Sequence, residues 1–256
     1  MTGGALRAWQ LPQLPEFVPV FAATNDEDRP RRLGLQVSRL THGTTAEIRF
    51  GLPVESGPEI LLRAARDLSF LDLLALVDSA RHHRDVDDVT MKPILASSRP
   101  GVRALRDAWA FSTGKCESAW ESYLYAFHRS IGVDVEPQVD VFGPDGSFVG
   151  RADLLIVGTV HVQEYDGGVH RKREAHRRDL RRERRFAATS YERRGYTSVD
   201  LLVHDVEMLR EIDDMLGRDH DPARLTLWRE LVAASCLSRS GRDRLSNRWL
   251  GRPLGR

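Results

Sequence analysis

The hydrophobic and polar positions of this chain change their period along the sequence. Up to about residue 56, apolar and polar residues alternate between breaks at Pro and Gly, which is the pattern of short strands. The predicted strands are 17–21, 33–40 and 45–50. We expect them to form one small sheet.

Helical spacing replaces the alternation after Ser56-Gly57-Pro58, a sequence that favours the start of a helix. Apolar residues recur every three or four positions in 59–68 and 69–83, with Ser69 as a candidate N-cap, and a third helix is predicted at about 100–112. The pattern therefore predicts a small α/β module of unknown role in residues 1–110. A second domain is expected in residues 111–256.

The second domain is predicted to begin with a helix in 116–130 that carries Trp120, Leu124 and Phe127 on one face. Residues 137–168 then read as three consecutive strands joined by turns. The predicted elements that follow are a basic helix at 171–194, a strand at 197–206, and helices at 206–217 and about 222–238. The order of helix, three-stranded antiparallel meander, helix and strand predicts an α/β fold whose last strand joins the sheet through a helical crossover.

The turn at Gly158-Thr159 determines how the last two strands of the meander pair. Gly in the first loop position suits a two-residue type II′ turn, and Val157 would then face Val160. The same register places Asp153 directly opposite Glu164, with Cβ atoms about 4.5–5.5 Å apart. Two carboxylates are therefore expected to meet on one face of the sheet.

Directly opposed carboxylates destabilise a sheet unless something compensates their charge, and a divalent cation bound by both would do so. Carboxylate oxygens favour Mg²⁺ or Mn²⁺ over Zn²⁺, and no Cys lies nearby in the sequence. Two alternatives stay open: Arg151 neutralises the pair from across the strand, or the register slips by one residue. An arginine between the two acids would remove the reason for a metal.

The positive charge of the chain is concentrated in two segments. There are 38 Lys and Arg against 37 Asp and Glu, so the formal net charge is +1. Residues 171–185 carry nine basic and three acidic residues, and residues 239–256 carry six Arg and one Asp, so the rest of the chain is net negative. Such segregation is typical of proteins that bind phosphate backbones, and we expect DNA as the partner. The alternative is a solvated helix face held by ion pairs four residues apart.

The composition excludes or disfavours several classes of protein. No stretch approaches the roughly 18 uninterrupted apolar residues of a membrane span, because Asp72 and Asp78 interrupt the most apolar segment. The N-terminus offers one Arg and a Pro-broken apolar segment, which is unlike a secretory signal. Cys116 and Cys236 are too few for a disulfide framework and fit no metal spacing. We expect a cytoplasmic protein.

Four features of residues 112–206 point to one family. They are a Glu in the helix predicted at 116–130, Asp153 in RADLL, Glu164 in VQEYDGGVH, and the segment RRDLRRERRFAATSYERRGY. Together they resemble the PD-(D/E)xK restriction-endonuclease-like fold, and more narrowly the very-short-patch-repair-type endonuclease domains. GLPVES at 51–56 resembles the antitoxin-like N-terminal parts that such proteins carry.

The resemblance implies a role for each matching residue. Asp153 and Glu164 would be metal ligands together with the carbonyl of Tyr165, and Glu121 would approach the metal through water. Glu121 has an alternative role, because Ser118 and Glu121 have the spacing of a capping box.

One position departs from the family. Asp166 stands where the family has a Lys that steadies the attacking water. Asp166 would be a further ligand, and His170 or Lys172 would supply the missing proton or charge.

These observations predict a metal-dependent endonuclease that hydrolyses phosphodiester bonds in DNA and uses Mg²⁺ or Mn²⁺. The predicted catalytic residues are Glu121, Asp153, Glu164, Asp166 and His170, and the predicted phosphate contacts are Arg171, Arg177, Arg178, Arg181 and Arg182. A catalytically inactive nucleic-acid-binding or antitoxin-like regulatory protein is the alternative, and a protein-interaction scaffold is a third. A homodimer and a toxin–antitoxin-type protein partner both stay open.

Overall fold

The computed structural model describes residues 11–16, 18–24, 32, 34–39, 46–49, 51–167 and 186–250. The strands are β1 Val20–Thr24, β2 Leu35–Arg39, β3 Ala46–Arg49, β4 Leu52–Glu55, β5 Val135–Phe142, β6 Phe148–Ile156, β7 His161–Tyr165 and β8 Glu192–Tyr196. The helices are α1 Gly57–Ala64, α2 Phe70–His82, α3 Asp88–Leu95, α4 Val102–Phe111, α5 Ala119–Ser130, α6 Ser198–Leu202, α7 Asp205–Met215, α8 Leu225–Ala234 and α9 Arg239–Leu250. Within these ranges, no helix combines the length and the apolar character that crossing a membrane requires.

The chain divides into two compact units. The first comprises Met1–Ala119 and Glu230–Arg256, and the second comprises Trp120–Arg229. The sequence analysis placed the boundary near residue 110 and assigned the C-terminal helices to the second domain. In the structure the two units divide nine residues later, between Ala119 and Trp120. The C-terminal segment Glu230–Arg256 belongs to the first unit.

Four short strands precede the helices of the first unit, but they do not form the single sheet expected from their pattern. β1 and β2 pair in parallel, whereas β3 and β4 pair antiparallel in a separate two-stranded sheet. Gly51, with φ +73°, lies in the turn between β3 and β4. This tight turn lets β3 and β4 pair with each other. The α/β character of this region is as predicted.

Helices α1 to α4 bury a common apolar core, and the periodicity of α1, α2 and α4 predicts it. Leu73, Leu76 and Val77 of α2 are at most 1% exposed, and Leu245 and Trp249 of α9 belong to the same core. Helix α3 was not predicted. Its signal is Asp87, which accepts from the backbone N–H of Thr90 while the hydroxyl of Thr90 accepts from the N–H of Asp87.

Asp72 provides a polar link between α2 and the C-terminal segment of the first unit. Its oxygens accept from the backbone N–H of Cys236 at 3.0 and 3.1 Å, and the hydroxyl of Ser69 donates to it at 2.7 Å. Ser69 therefore occupies the predicted N-cap position, but its side chain bonds Asp72 and not a backbone N–H. This buried link and the packing of α9 explain why the C-terminal segment belongs to the first unit.

The second unit is built on a four-stranded sheet with the order β5-β6-β7-β8. Strands β5, β6 and β7 form an antiparallel meander after α5, and β8 runs parallel to β7. The helix, meander and final strand agree with the predicted α/β order. Most of the predicted basic helix at 171–194 lies outside the described residues, and its last three residues belong to β8.

The position of the last strand was predicted wrongly. The sequence pattern favoured a strand at 197–206, whereas β8 ends at Tyr196 and residues 198–202 form α6. Thr197 starts this helix, because its hydroxyl accepts from the N–H of Val199 and Asp200 while the carboxylate of Asp200 accepts from the N–H of Thr197. The reciprocal cap outweighs the strand propensity of the apolar residues that follow.

The hairpin between β6 and β7 has the predicted register but not the predicted turn. Leu155 pairs with Val162 and Leu154 with Gln163. The loop spans residues 157–160 and contains a turn in which the N–H of Thr159 donates to the carbonyl of Ile156. Gly158, with φ +80°, occupies the third position of that turn, which favours glycine. The two-residue turn at Gly158-Thr159 was therefore wrong, although the pairing deduced from it is correct.

Candidate active site

A row of four residues, one from each strand, runs across the sheet at the centre of the candidate site. In the first strand pair, Pro137 lies opposite Leu154 and Val139 lies opposite Ala152. The same register places Gln138 of β5 opposite Asp153 of β6. Continued by one residue, the β6–β7 register places Asp153 opposite Glu164. In β8, Gly195 pairs with Glu164. The members of this row are Gln138, Asp153, Glu164 and Gly195.

Asp153 is held by the backbone of the neighbouring strand. Its Oδ2 accepts from the N–H of Tyr165 at 2.8 Å, immediately beyond Glu164. Side chains alternate along a strand, so Asp153 and Glu164 are on the same face of the sheet. The carboxylate of Asp153 therefore lies against the backbone of β7 next to Glu164, on the side where the sequence analysis expected the two acids to meet.

Glu164 is 4% exposed and forms an ion pair with Arg193 of β8. Nε and a terminal nitrogen of Arg193 donate to Oε2 of Glu164 at 2.7 and 2.5 Å. The same terminal nitrogen lies 3.9 Å from Oδ1 of Asp166. Arg193 of β8 therefore compensates the charge of Glu164. Arg151 was the residue considered for this role, and it is exposed on β6.

Asp166 follows Glu164 by two residues, at the end of β7. Its N–H donates to the carbonyl of Tyr196 at 2.7 Å, which continues the parallel pairing by one bond. A Cβ atom at Gly195 would overlap Oδ2 of Asp166. Only glycine therefore allows this carboxylate to lie against β8.

Glu121 lies in the first turn of α5, and its Oε2 accepts from Nε2 of Gln138 at 2.9 Å. Gln138 adopts φ +57°, in the left-handed region that side chains other than glycine rarely enter. The sequence analysis missed Gln138, because PQVDV reads as an ordinary alternating strand. Its register beside Asp153 and its bond to Glu121 connect the helix to the row.

An aromatic contact anchors the start of α5 on β7. The rings of Trp120 and Tyr165 stack at 5.2 Å between centroids with an interplanar angle of 4°. Burial raises the pKa of the Tyr165 hydroxyl, while a hydrogen bond with Ser198 acts in the opposite direction. Trp120 directly precedes Glu121, and Tyr165 directly follows Glu164. The stacked pair therefore fixes the sequence neighbours of these two acids.

Six of the predicted site residues lie outside the described part of the chain. They are His170, Arg171, Arg177, Arg178, Arg181 and Arg182. Their roles in catalysis and in phosphate binding stay predictions, as does the suggestion that Lys172 supplies a charge.

The donor atoms of the site suit a hard divalent cation. Asp153 and Glu164 supply carboxylate oxygens, the ligand type that Mg²⁺ and Mn²⁺ prefer. Within the described ranges, no group of three or more His, Cys, Asp and Glu is close enough together to hold a metal. The remaining ligands would be a backbone carbonyl and water, and the cation would compete with Arg193 for Glu164.

We compared the chain with protein-family models, curated proteins and solved structures. No protein-family model matches the chain, and neither the curated proteins nor the solved structures include a match. The endonuclease-like core therefore stays a prediction that depends on the residues of the site.

Proposed function

We propose that this chain is a metal-dependent endonuclease-like protein that hydrolyses phosphodiester bonds in DNA in the cytoplasm. The observation that supports it is the hydrogen bond that holds Asp153 against β7 beside Glu164, in a hairpin whose register, continued by one residue, places the two acids opposite each other. Carboxylates at opposed positions of two neighbouring strands fit phosphate chemistry better than a structural role, because such a pair destabilises a sheet.

In this proposal Asp153 and Glu164 hold Mg²⁺ or Mn²⁺. When bound there, the ion would supply an activated water and shield the charge of the phosphate. The hydrogen bond from the N–H of Tyr165 would hold Asp153 against β7, and the bond from Gln138 would hold Glu121 on β5. The segment 171–185, with nine basic residues, supplies the charge that binds the DNA backbone on either side of the scissile bond.

A second function, a nucleic-acid-binding protein without catalysis, is favoured by one observation. Arg193 already neutralises Glu164, and Asp166 replaces the Lys of the resembling family. A protein that keeps this ion pair permanently has no need of a metal, while its basic segment still binds DNA.

Cleavage of linear duplex DNA by the full chain, with and without Mg²⁺, tests the proposal. Asp153→Asn keeps an oxygen that accepts from the N–H of Tyr165 but removes the charge. Loss of a residue that only supports a metal ligand lowers metal affinity or activity by about 10–100-fold. Loss of a ligand itself should therefore lower the cleavage rate by at least on the order of 100-fold. Glu136→Gln, an exposed carboxylate of the same sheet, is the matched control and should cleave as the original chain does.

Isothermal titration of Mg²⁺ separates the two functions. Uptake of the ion by the original chain, and its loss in Asp153→Asn, supports the endonuclease. Cleavage that is unchanged in Asp153→Asn refutes it. DNA binding that weakens with salt, without any uptake of Mg²⁺ or cleavage, supports the non-catalytic binder.

A further inference from the structure

Gln138 has an unusual backbone conformation in the middle of β5. Its φ of +57° is shared, among the non-glycine residues that the structure describes, only by Arg84. The left-handed region crowds Cβ against the following carbonyl, and Gln is not one of the residue types enriched there. A reason for this conformation should therefore exist nearby.

Strand pairing does not account for it. Pro137 pairs with Leu154 and Val139 with Ala152, so the register is the same on both sides of Gln138 and no residue is inserted there. A β-bulge would shift the register, and the shift in this strand pair occurs farther along, between Val141 and Phe142.

Docking of α5 does not account for it either. The helix is held by the stacking of Trp120 on Tyr165 and by Tyr123, Leu124 and Phe127, which are at most 1% exposed. One further hydrogen bond at the rim of this apolar contact adds little to the attachment of the helix.

The side chain of Gln138 joins β5 to the acid in the first turn of α5. Nε2 of Gln138 donates to Oε2 of Glu121 at 2.9 Å, while Gln138 lies beside Asp153 in the sheet. Neighbouring residues of paired strands have Cα atoms about 4.5–5.5 Å apart. Strained residues that persist in a fold are concentrated at functional sites, where surrounding structure enforces them.

We propose that Gln138 is a positioning residue that holds the carboxylate of Glu121 beside the row of Asp153 and Glu164. It acts through Glu121 and does not itself touch the metal or the DNA. This inference rests on the proposed function, because Glu121 would act through water beside the divalent cation held by Asp153 and Glu164.

A double-mutant cycle on Mg²⁺ affinity, measured by calorimetry with the full chain, tests it. Gln138→Ala and Glu121→Gln should each weaken Mg²⁺ binding by on the order of tenfold, as expected for residues that support metal ligands. The double variant should bind no more weakly than Glu121→Gln alone, because Gln138 acts through Glu121. Glu136→Gln, on the same strand, should leave the affinity unchanged.

A comparison of Gly and Ala at position 138 tests the backbone strain without any metal. Both variants lack the carboxamide, and only Gly relieves the left-handed conformation. We expect Gln138→Gly to melt about 2–4 °C above Gln138→Ala. Equal melting temperatures, or a higher one for Ala, would show that the backbone is unstrained and would overturn the inference.

The calorimetric outcomes distinguish this inference from the proposed function. If the original chain binds neither Mg²⁺ nor Mn²⁺, the proposed function fails, and the inference fails with it. If the original chain binds the ion but the two losses add, or Gln138→Ala has no effect, only the inference is overturned.

Discussion

Arg193 donates to Oε2 of Glu164 across the parallel pair of β7 and β8, two residues before Gly195, the register partner of Glu164. The spacing of two residues puts both side chains on one face of the sheet. A carboxylate that is 4% exposed needs a compensating cation, and the arginine provides it. Under the proposed function a divalent cation and Arg193 therefore compete for the same oxygen.

Arg193→Met should destabilise the chain in the absence of metal. Removing one partner of a fully buried ion pair costs about 3–5 kcal/mol. Because the side chain of Arg193 is 22% exposed, we expect a smaller loss of about 2–3 kcal/mol in the free energy of urea unfolding. Arg194→Met, at the exposed neighbouring position, is the control and should change stability by less than about 0.5 kcal/mol.

The same variant should bind Mg²⁺ more tightly than the original chain, because the competing cation is gone. Added Mg²⁺ should then restore part of the lost stability in Arg193→Met and have a smaller effect on the original chain. Calorimetry and thermal melting with a Mg²⁺ series measure both effects. Weaker Mg²⁺ binding in Arg193→Met would contradict the competition and assign Arg193 to holding the site together.

Gly195→Ala should displace the carboxylate of Asp166 and leave the backbone of β8 in place. The added Cβ meets the end of the Asp166 side chain, which can rotate away. If Asp166 contributes to the metal site, Mg²⁺ affinity falls while the melting temperature changes little. Asp166→Asn is the matched comparison, and an affinity loss in Gly195→Ala without one in Asp166→Asn would show that the glycine acts by another route.

His128 should make the chain less stable in mild acid. Burial lowers the pKa of this imidazole from 6.5 to about 4, while the carbonyl of Leu124, 2.8 Å from Nδ1, opposes the shift. The unfolded chain therefore binds this proton more readily, and stability contributed above pH 6.5 is lost as the pH falls toward about 4. The difference between the two pKa values corresponds to a loss on the order of 3 kcal/mol.

Urea unfolding between about pH 4 and 7 measures this loss. His128→Gln, which does not titrate, should flatten the dependence, whereas His83→Gln, at an exposed position, should leave it unchanged. A dependence that is equally steep in His128→Gln would assign it to other groups.

Asp72 should have the opposite effect. Burial raises the pKa of its carboxyl group above the usual range, while hydrogen bonds from Ser69 and Cys236 act against the shift. The folded chain thus holds this proton more tightly, and the stability that the neutral form provides is lost as the pH rises through the raised pKa. Asp72→Asn keeps an acceptor for the N–H of Cys236 and stays neutral. It should be more stable than the original chain at neutral pH, and the advantage should shrink at about pH 4.

Asp107→Asn, at an exposed position of α4, is the control for Asp72→Asn and should show no such trend. An Asp72→Asn chain that is less stable than the original at neutral pH would mean that the ionised carboxylate is needed by the bonds to Cys236 and Ser69.

Residues 196–202 show where local patterns mislead. The segment TSVDLLVHDV contains three Val and one Thr, and β-branched residues favour a strand. The reciprocal cap between Thr197 and Asp200 is also a local signal, and it starts a helix there. The error therefore came from weighting propensity above a capping signal that the sequence already contained.

The sequence by itself determined most strands and helices and the register of the hairpin between β6 and β7. These depend on the period of apolar positions and on the pairing of adjacent strands, which are properties of neighbouring residues. Only the tertiary structure decided that Arg193 pairs with Glu164, that Gln138 holds Glu121, and that Asp72 binds the C-terminal segment. Those contacts join residues 29, 17 and 164 positions apart, and such distances in sequence leave no periodic trace from which a partner can be deduced.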